Sequence, residues 1–305
     1  MACLSRPACG RTDEGIELKD LLKLLRPHQY IKNFFILMPV FFAGSIGAPG
    51  VLLDIFLAFI AFSMAASAIY IFNDYRDITA DREHPIKRER PLASGTISVS
   101  AALTLAAMLA IAGGGLMAWL SLPALAVLGI YFGLNVCYSL WLKHVAIIDI
   151  TIISLGFVLR LFIGSIVAGI PLSSWIVIMT FLLALFIALA KRRDDMILYL
   201  ETGKRARPVI DGYNLQMIDG AMAIMASVVI VAYLLYTTSA AVTERLQSDY
   251  VYLTTLFVII GIMRYLQLTL VFKRTGSPTR LVIQDNFLRA TVLAWLLGFA
   301  WIIYH

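Results

Sequence analysis

Four polar residues stand together at the end of a long apolar stretch: Asn73, Asp74, Asp77 and Asp81. On a helix that continues through them, the three aspartates, spaced i, i+3 and i+7, share one face, and the asparagine lies beside the second. Two like charges about 6 Å apart repel by roughly 3 kcal/mol at an effective dielectric constant near 20. Carboxylate and amide oxygens suit Mg²⁺, which also keeps water and substrate phosphate. The spacing therefore predicts a magnesium site, with Asp74 and Asp77 as catalytic residues.

Basic residues follow these acids at intervals of three: His84, Lys87 and Arg90. Such side chains donate hydrogen bonds to anionic oxygens, and arginine does so in bidentate fashion. A mixed-charge run is usually a solvated loop, and the basic half alone favours that interpretation. Metal ligands followed by phosphate donors nevertheless form a pattern that suits a diphosphate, so we predict that these three residues bind substrate.

The elements that position these residues are indicated by composition. The chain has 305 residues, of which 60% are hydrophobic and 14% charged, and the mean hydropathy is +0.85. Soluble domains are about 45–50% apolar and about 25% charged, so a soluble protein, a disordered chain and a disulfide scaffold are excluded. The sequence predicts an all-α polytopic membrane protein. Nine transmembrane helices are predicted near residues 30–47, 51–72, 98–119, 122–141, 145–167, 173–190, 217–240, 250–272 and 287–304.

The basic residues predict an orientation. With nine spans, the N-terminal tail (1–29), counted here up to Lys32, and the loops after spans two, four, six and eight share one side, and they carry 22 of the 25 lysines and arginines. This side is predicted to be cytoplasmic. The net charge of +6 then reflects orientation and anionic headgroups rather than a nucleic-acid partner. Residues 30–305 are predicted to form a single transmembrane domain.

A family resemblance follows from these residues. The acidic motif at 73–81 resembles the first aspartate-rich motif of the UbiA superfamily of intramembrane prenyltransferases. The resemblance implies nine helices around a central cavity that faces the cytoplasm of a bacterial inner membrane, and a Mg²⁺-dependent site. The continuation at 84–91 looks like the branch that transfers 5-phosphoribosyl from phosphoribosyl diphosphate to a polyprenyl (decaprenyl) phosphate and releases diphosphate.

Other stretches are similar to that branch: Arg26-Pro27-x-Gln29-Tyr30-x-Lys32-Asn33, Tyr138-x-x-x-Leu142-Lys143-His144 and Lys191-Arg192-x-x-Asp195. The resemblance implies a catalytic Lys191. It also implies further substrate-binding residues, namely Lys32, Asn33, Asn73, Tyr138, Lys143, Arg192, Asp195 and Arg264. Two positions depart from the branch: Asp195 replaces its usual Glu, and the segment 284–286 (Gln-Asp-Asn) replaces Arg-Asp-Arg.

The stretch after span six also bears on an alternative function. Ordinary UbiA-type prenyltransferases, which move a polyprenyl group from its diphosphate to an aromatic acceptor such as 4-hydroxybenzoate, carry a second aspartate-rich motif there. This chain has Lys-Arg-Arg-Asp-Asp at 191–195, and adjacent acids do not share a helix face. Phosphoribosyl transfer is therefore preferred, with prenyl transfer as the alternative. A non-catalytic lipid carrier or transporter is disfavoured because the polar groups crowd one mouth rather than the midplane.

Arg160 is predicted well inside span five, where an arginine costs roughly 2.5–3.5 kcal/mol on insertion scales. A buried ion pair with Asp149 and a contact to substrate phosphate are equally compatible with the sequence. Arg264 lies closer to a helix end, where it could extend to the interface. The family resemblance favours a place for Arg264 in the site. Oligomeric state and lipid chain length stay open.

Overall fold

The computed structural model describes residues 18–83, 87–203, 208–272, 281 and 284–304. Every regular element in these ranges is helical. The α-helices are α1 (Leu18–Leu25), α2 (Met38–Phe42), α3 (Val51–Arg76), α4 (Ile78–Glu83), α5 (Pro91–Ser94), α6 (Val99–Leu120), α7 (Leu122–Leu140), α8 (Ile148–Ala168), α9 (Ser174–Thr202), α10 (Leu215–Thr237), α11 (Ala240–Leu246), α12 (Thr255–Leu266) and α13 (Asn286–Tyr304). The 3₁₀ segments are Pro27–Leu37, Lys87–Glu89, Leu142–His144, Pro208–Gly212 and Val251–Thr254, and a π-helix covers Gln267–Val271.

Eight helical segments in the described ranges are long and apolar enough to cross a membrane. They are α3, α6, α7, α8, α9, α10, the segment Val251–Val271 that contains α12, and α13. They correspond to the second through ninth predicted spans. The chain is therefore an all-α, multi-pass membrane protein, as the composition predicts.

The largest difference from the predicted boundaries is in α9. Its 29 residues extend about 44 Å at 1.5 Å per residue, which exceeds the roughly 30 Å hydrocarbon core. The segment 191–195, which the sequence predicts as part of a loop, lies within this helix. Helix continues here because Arg192 and Arg193 are buried among acidic partners and do not need water.

The first predicted span (30–47) is not a continuous helix. It consists of the 3₁₀ segment Pro27–Leu37 followed by the five-residue α2. The segment nevertheless packs against the bundle, because Asn33 donates to Ser63 in the middle of α3 (2.9 Å) and the Phe42 ring contacts Phe299 of α13 (5.2 Å between centroids). Because the segment lacks a regular helix of spanning length, the count of nine crossings stays a prediction.

Close packing explains how this irregular segment fits into the bundle. A side chain at Gly164 of α8 would overlap the carbonyl group of Ile36, so glycine lets the two backbones approach. Ile36 is fully buried there, together with Val40 and residues of α3, α7 and α8. A second apolar cluster joins α8, α9, α10 and α12. The two clusters fix the ends of α3, α8 and α9 relative to each other.

The helix α1 lies within the predicted N-terminal tail (1–29). Its Leu24 is buried against Ala68 and Ile71 of α3. Residues 18–25 therefore pack on the transmembrane bundle, while residues 1–17 lie outside the described ranges. This packing brings the residue after α1, Arg26, to the end of α3 where the acidic motif begins.

Candidate active site

The acidic motif does not lie on one continuous helix. The helix α3 ends at Arg76, Asp77 has φ −99° and ψ 7°, and α4 begins at Ile78. The expected single face of three aspartates is therefore broken in its middle. Asp74 and Asp81, which lie before and after the break, share Arg90 as a partner, and Asp77 contacts a different element.

The first group contains Asp74 and Asp81, both buried, together with Arg26 and Arg90. Nη2 of Arg26 lies 2.5 and 2.7 Å from the two carboxylate oxygens of Asp74. Nη1 of Arg90 lies 3.0 Å from Asp74 and 2.6 Å from Asp81. Arg90, predicted to bind substrate phosphate, therefore lies against the predicted metal ligands.

The second group contains Asn73, Asp77, Lys143 and Ser139. Nζ of Lys143 lies 2.6 Å from Oδ1 of Asp77, and Nδ2 of Asn73 donates to Oδ2 of Asp77 at 3.2 Å. Ser139 donates to the side-chain oxygen of Asn73 at 3.1 Å. The predicted contact of Asn73 with Asp77 is thus present. The Asp77 side chain keeps 29% exposure, against 2% for Asp74, so Asp77 is the more accessible acid.

The donor set suits Mg²⁺ by its chemistry, since it offers hard carboxylate and amide oxygens. Among the described residues, however, no group of three or more acidic, histidine or cysteine side chains is placed to hold a metal ion. Each aspartate of the motif instead contacts an arginine or lysine. A metal would therefore have to take oxygens that the cations now occupy.

A second ionic cluster lies where α8 begins and α9 ends. Asp149, fully buried, accepts from Nε of Arg192 at 2.6 Å and from the hydroxyl of Tyr213 at 2.7 Å. Nη1 of Arg192 also donates to Asp195 at 2.8 Å. Burial and the Asp149 carboxylate raise the pKa of Tyr213, which keeps the phenol protonated and able to donate.

One nitrogen of this cluster lacks a partner. The Arg192 side chain is 1% exposed, and its Nη2 is the one buried side-chain nitrogen or oxygen atom without a hydrogen bond in the described part of the chain. An unsatisfied buried donor costs about 1–3 kcal/mol, and more for a charged group. As a charged donor this nitrogen suits an anionic oxygen, which would reach it only after the protein atoms that cover it move.

Two other predicted residues, Asn33 and Arg160, meet inside the bundle. Nε of Arg160 donates to the side-chain oxygen of Asn33 at 2.9 Å, and Nη1 donates to the Gly156 carbonyl at 2.6 Å. Its guanidinium also lies 4.6 Å from the centre of the Phe62 ring. The predicted alternative of an ion pair with Asp149 is wrong, because that carboxylate is occupied by other donors. Arg160 is satisfied by neutral groups instead.

Of the remaining predicted residues, Tyr138 lies near Arg192 of the second cluster. Nη2 of Arg264 pairs with Asp285 at 2.7 Å. Lys191 is exposed. The partly buried residues are Lys32, Lys87 and Tyr138. His84 lies outside the described residues.

Sequence reasoning did not select three residues that the structure places in these clusters. Arg26 stands in one of the family-like stretches, and that position was the available signal. Ser139 and Tyr213 carry no spacing signal, since their contacts join residues that are 66 and 64 positions apart. Only the folded chain brings them to their partners.

The comparison with known families addresses the whole bundle. The sequence profile of the UbiA prenyltransferase family matches residues 35–288. The chain belongs to the UbiA prenyltransferase family. The fold agrees, because this UbiA-family chain superposes on a UbiA homolog from Archaeoglobus fulgidus bound to DMAPP and Mg²⁺ with a TM-score of 0.69, over 92% of this chain and 99% of that one, at 18% identity.

Two curated relatives that match this UbiA-family chain over most of its length carry the same name. The decaprenyl-phosphate phosphoribosyltransferase of Mycolicibacterium smegmatis is 32% identical over 289 residues, which cover 92% of this chain and 91% of the relative. The protein of the same name from Corynebacterium glutamicum is 32% identical over 282 residues, or 90% of this chain and 84% of the relative. The likeness therefore extends over nearly the full length of both.

Proposed function

We propose that the protein transfers the 5-phosphoribosyl group of phosphoribosyl diphosphate to a polyprenyl phosphate such as decaprenyl phosphate, with release of diphosphate. The full-length likeness to decaprenyl-phosphate phosphoribosyltransferases supports this activity. The observation that carries it is the cluster at 191–195. A prenyltransferase of the ordinary type carries an aspartate-rich motif there, whereas in this chain the two acids are adjacent and Asp195 pairs with a buried arginine that keeps an unsatisfied nitrogen.

The first acidic motif supports the same reaction. Asp77 and Asn73, with Asp74 and Asp81, would hold Mg²⁺, which on binding would neutralise diphosphate oxygens and stabilise the charge that develops on the leaving group. The arginine and lysine partners of these acids lie within the same groups. A bound diphosphate would replace the aspartates as the hydrogen-bond acceptor of Arg90 and Lys143. The aspartate oxygens would then be released to hold the metal.

The remaining steps need no nucleophile from the protein. As the bond from C1 of the ribose to diphosphate breaks, C1 gains oxocarbenium character, and an oxygen of the lipid phosphate forms the new bond from the opposite face. The lipid phosphate already carries one to two negative charges near neutral pH. Lys87, Arg192 and Lys191 would align the two anionic substrates, and Asp195 would accept hydrogen bonds from ribose hydroxyls. The rate gain comes from placement and from charge stabilisation.

The cellular location and orientation that we propose follow from where the basic residues lie. The contacts Arg26–Asp74, Lys143–Asp77 and Arg193–Thr269 gather the basic loops at one end of the bundle. We place this end, with the N-terminal residues 1–29, in the cytoplasm of a bacterial inner membrane, because lysine and arginine concentrate on that side. Residues 30–305 form the single transmembrane domain. The water-soluble donor then arrives from the cytoplasm, and the polyprenyl phosphate arrives sideways from the bilayer.

The activity is tested with purified protein in lipid nanodiscs. Phosphoribosyl diphosphate, decaprenyl phosphate and Mg²⁺ are supplied, and we expect diphosphate release together with a phosphoribosylated lipid. EDTA should abolish both products, and added Mg²⁺ should restore them. Turnover of a polyprenyl diphosphate with 4-hydroxybenzoate, and none with the first substrate pair, would replace this proposal by prenyl transfer.

A further inference from the structure

Two connecting segments meet at one phenol, that of Tyr213. The first segment, 142–147, follows α7 and carries Lys143. The second is the 3₁₀ segment Pro208–Gly212, which precedes the tyrosine directly. The phenol oxygen accepts from the backbone N–H of Ile147 at 2.7 Å and donates to Asp149 at 2.7 Å. One hydroxyl group from the second segment therefore makes two hydrogen bonds to the start of α8, one to the backbone of Ile147 and one to the side chain of Asp149.

The two hydrogen-bond partners of the phenol lead to different parts of the candidate site. The Ile147 backbone belongs to the segment whose Lys143 pairs with Asp77. Asp149 forms an ion pair with Arg192, and Arg192 forms a second ion pair with Asp195. The phenol thus connects the acidic motif, through the chain from Ile147 back to Lys143, with the Arg192–Asp195 pair of α9, through Asp149.

The local backbone requires support at this point. Ile147 has φ +71°, a conformation that is strained for a β-branched residue and costs on the order of 1–3 kcal/mol. The bond from its N–H to the phenol helps to hold that conformation. The two connecting segments are also in close contact, since a Cβ at Gly212 of the second would lie 2.6 Å from the Cβ of Ala146 in the first. Glycine at 212 lets the two segments touch.

We infer that Tyr213 is a positioning residue, which fixes Lys143 and Asp195 relative to each other so that the two halves of the site act on one substrate. Tyr213 itself touches no reacting atom. The inference rests on the proposed function for its activity assay, and on the structure alone for its physical assay. A displacement of about 1 Å in such a site can cost about a hundredfold in rate.

The physical assay is hydrogen–deuterium exchange on the full chain in nanodiscs. Tyr213→Phe keeps the ring and removes the hydroxyl. We expect faster exchange in both 142–147 and 191–196. The matched control is Tyr233→Phe, because Tyr233 is also a buried tyrosine with two hydroxyl partners, Thr254 and Trp295, on another part of the bundle. Faster exchange in only one of the two segments, or the same response in the control, overturns the inference.

The activity assay follows phosphoribosyl transfer. Tyr213→Phe should lower kcat about ten- to hundredfold and change KM for the polyprenyl phosphate less than threefold, while Tyr233→Phe stays within twofold of wild type. In an Asp195→Asn background, Tyr213→Phe should cause little further loss, since both changes act on one path. Fully additive losses contradict a role through Asp195.

A second variant tests the same contact without removing a polar group. Gly212→Ala should separate the segments and reproduce the loss in kcat, and Ala146→Gly in the same chain should restore activity by making room for the added methyl group. Failure of this rescue overturns the inference. Wild-type inactivity with phosphoribosyl diphosphate would refute the proposed function instead, and the exchange assay would still decide the role of Tyr213.

Discussion

The two ionic clusters at the site end of the bundle differ in their access to water. In the acidic motif, Asp77 and Lys143 keep side-chain exposures of 29% and 16%, whereas Asp149 and Arg192 keep 0% and 1%. Partly exposed ion pairs contribute little to stability, and their partners exchange readily. A fully buried pair is strongly coupled, because loss of one partner strands a charge in the interior.

The comparison suggests a division of tasks. In the acidic motif the Asp77–Lys143 pair is accessible enough for the lysine to leave its carboxylate for a substrate, so this pair acts as an exchangeable part, whereas Asp74 and Asp81 are buried. The Asp149–Arg192 pair holds the end of α9 against α8, so it acts as a fixed frame that presents the remaining arginine nitrogen. Stability should therefore depend on the second cluster, and turnover should depend most directly on the first.

The largest expected effect on stability is that of Asp149→Ala. The change leaves Arg192 buried beside Asp195 alone, so we expect the free energy of unfolding to fall by about 3–5 kcal/mol. Thermal unfolding in detergent measures it. Asp20→Ala, which breaks the surface pair with Lys23, is the control and should cost less than about 1 kcal/mol. Equal effects of the two variants would remove the distinction between frame and exchangeable part.

The largest expected effect on turnover is that of Asp77→Asn. Loss of this accessible carboxylate should lower kcat by about a hundred- to a thousandfold, or about 3–4 kcal/mol in the barrier, with little change in the unfolding temperature. Asp54→Asn, in the first turn of α3, the helix that precedes Asp77, should retain turnover. A large loss of stability in Asp77→Asn would show that the first cluster is also part of the frame.

A smaller effect is expected from Lys143→Ala. We expect kcat/KM for phosphoribosyl diphosphate to fall about ten- to thirtyfold, because one cation near the diphosphate is lost while Arg90 remains. Initial rates over a range of donor concentrations measure it, with the exposed neighbour changed in His144→Ala as control. An unchanged KM for the donor would separate Lys143 from diphosphate binding.

The smallest effect is expected from Asp195→Glu, which introduces the residue usual in the phosphoribosyl-transferring branch. The longer side chain still reaches Arg192, so kcat should change less than about threefold, or about 0.7 kcal/mol. Asp195→Ala should lose about tenfold. Similar losses in both variants, measured side by side, would mean that carboxylate position at 195 is fixed more tightly than the comparison implies.

Much of the fold was accessible from the sequence because apolar length is a local property. The spans from α3 to α13 follow from apolar runs and basic loops. The continuation of α9 could not be predicted, because the partners that bury Arg192 and Arg193 come from α8 and α10. The interruption at Asp77 was equally hidden, since the i, i+3, i+7 spacing fits an unbroken helix.

The candidate site shows the same limit. Residue types and spacing predicted that Asp74, Asp77 and Arg90 belong to one site. In the structure Arg90 contacts Asp74, and Asp77 contacts Lys143. Pairings across the fold, such as Tyr213 with Asp149, depend on which loops meet and leave no trace in spacing. The sequence also left two roles open for Arg160, an ion pair with Asp149 and a contact to substrate phosphate. Its partner in the structure, Asn33, could not be predicted because the two residues are 127 positions apart.

The bond between Asn33 and Arg160 has a consequence for how the chain is assembled. These residues are 127 positions apart, and the segment around Asn33 is not a regular helix that could insert on its own. During synthesis the amide nitrogen of Asn33 can already bond Ser63 of α3, but its amide oxygen must wait for Arg160 of α8, so this segment completes its packing late. A cysteine placed beside Asn33 should therefore react with water-soluble thiol reagents in chains that stop before α8, and become protected in the full chain.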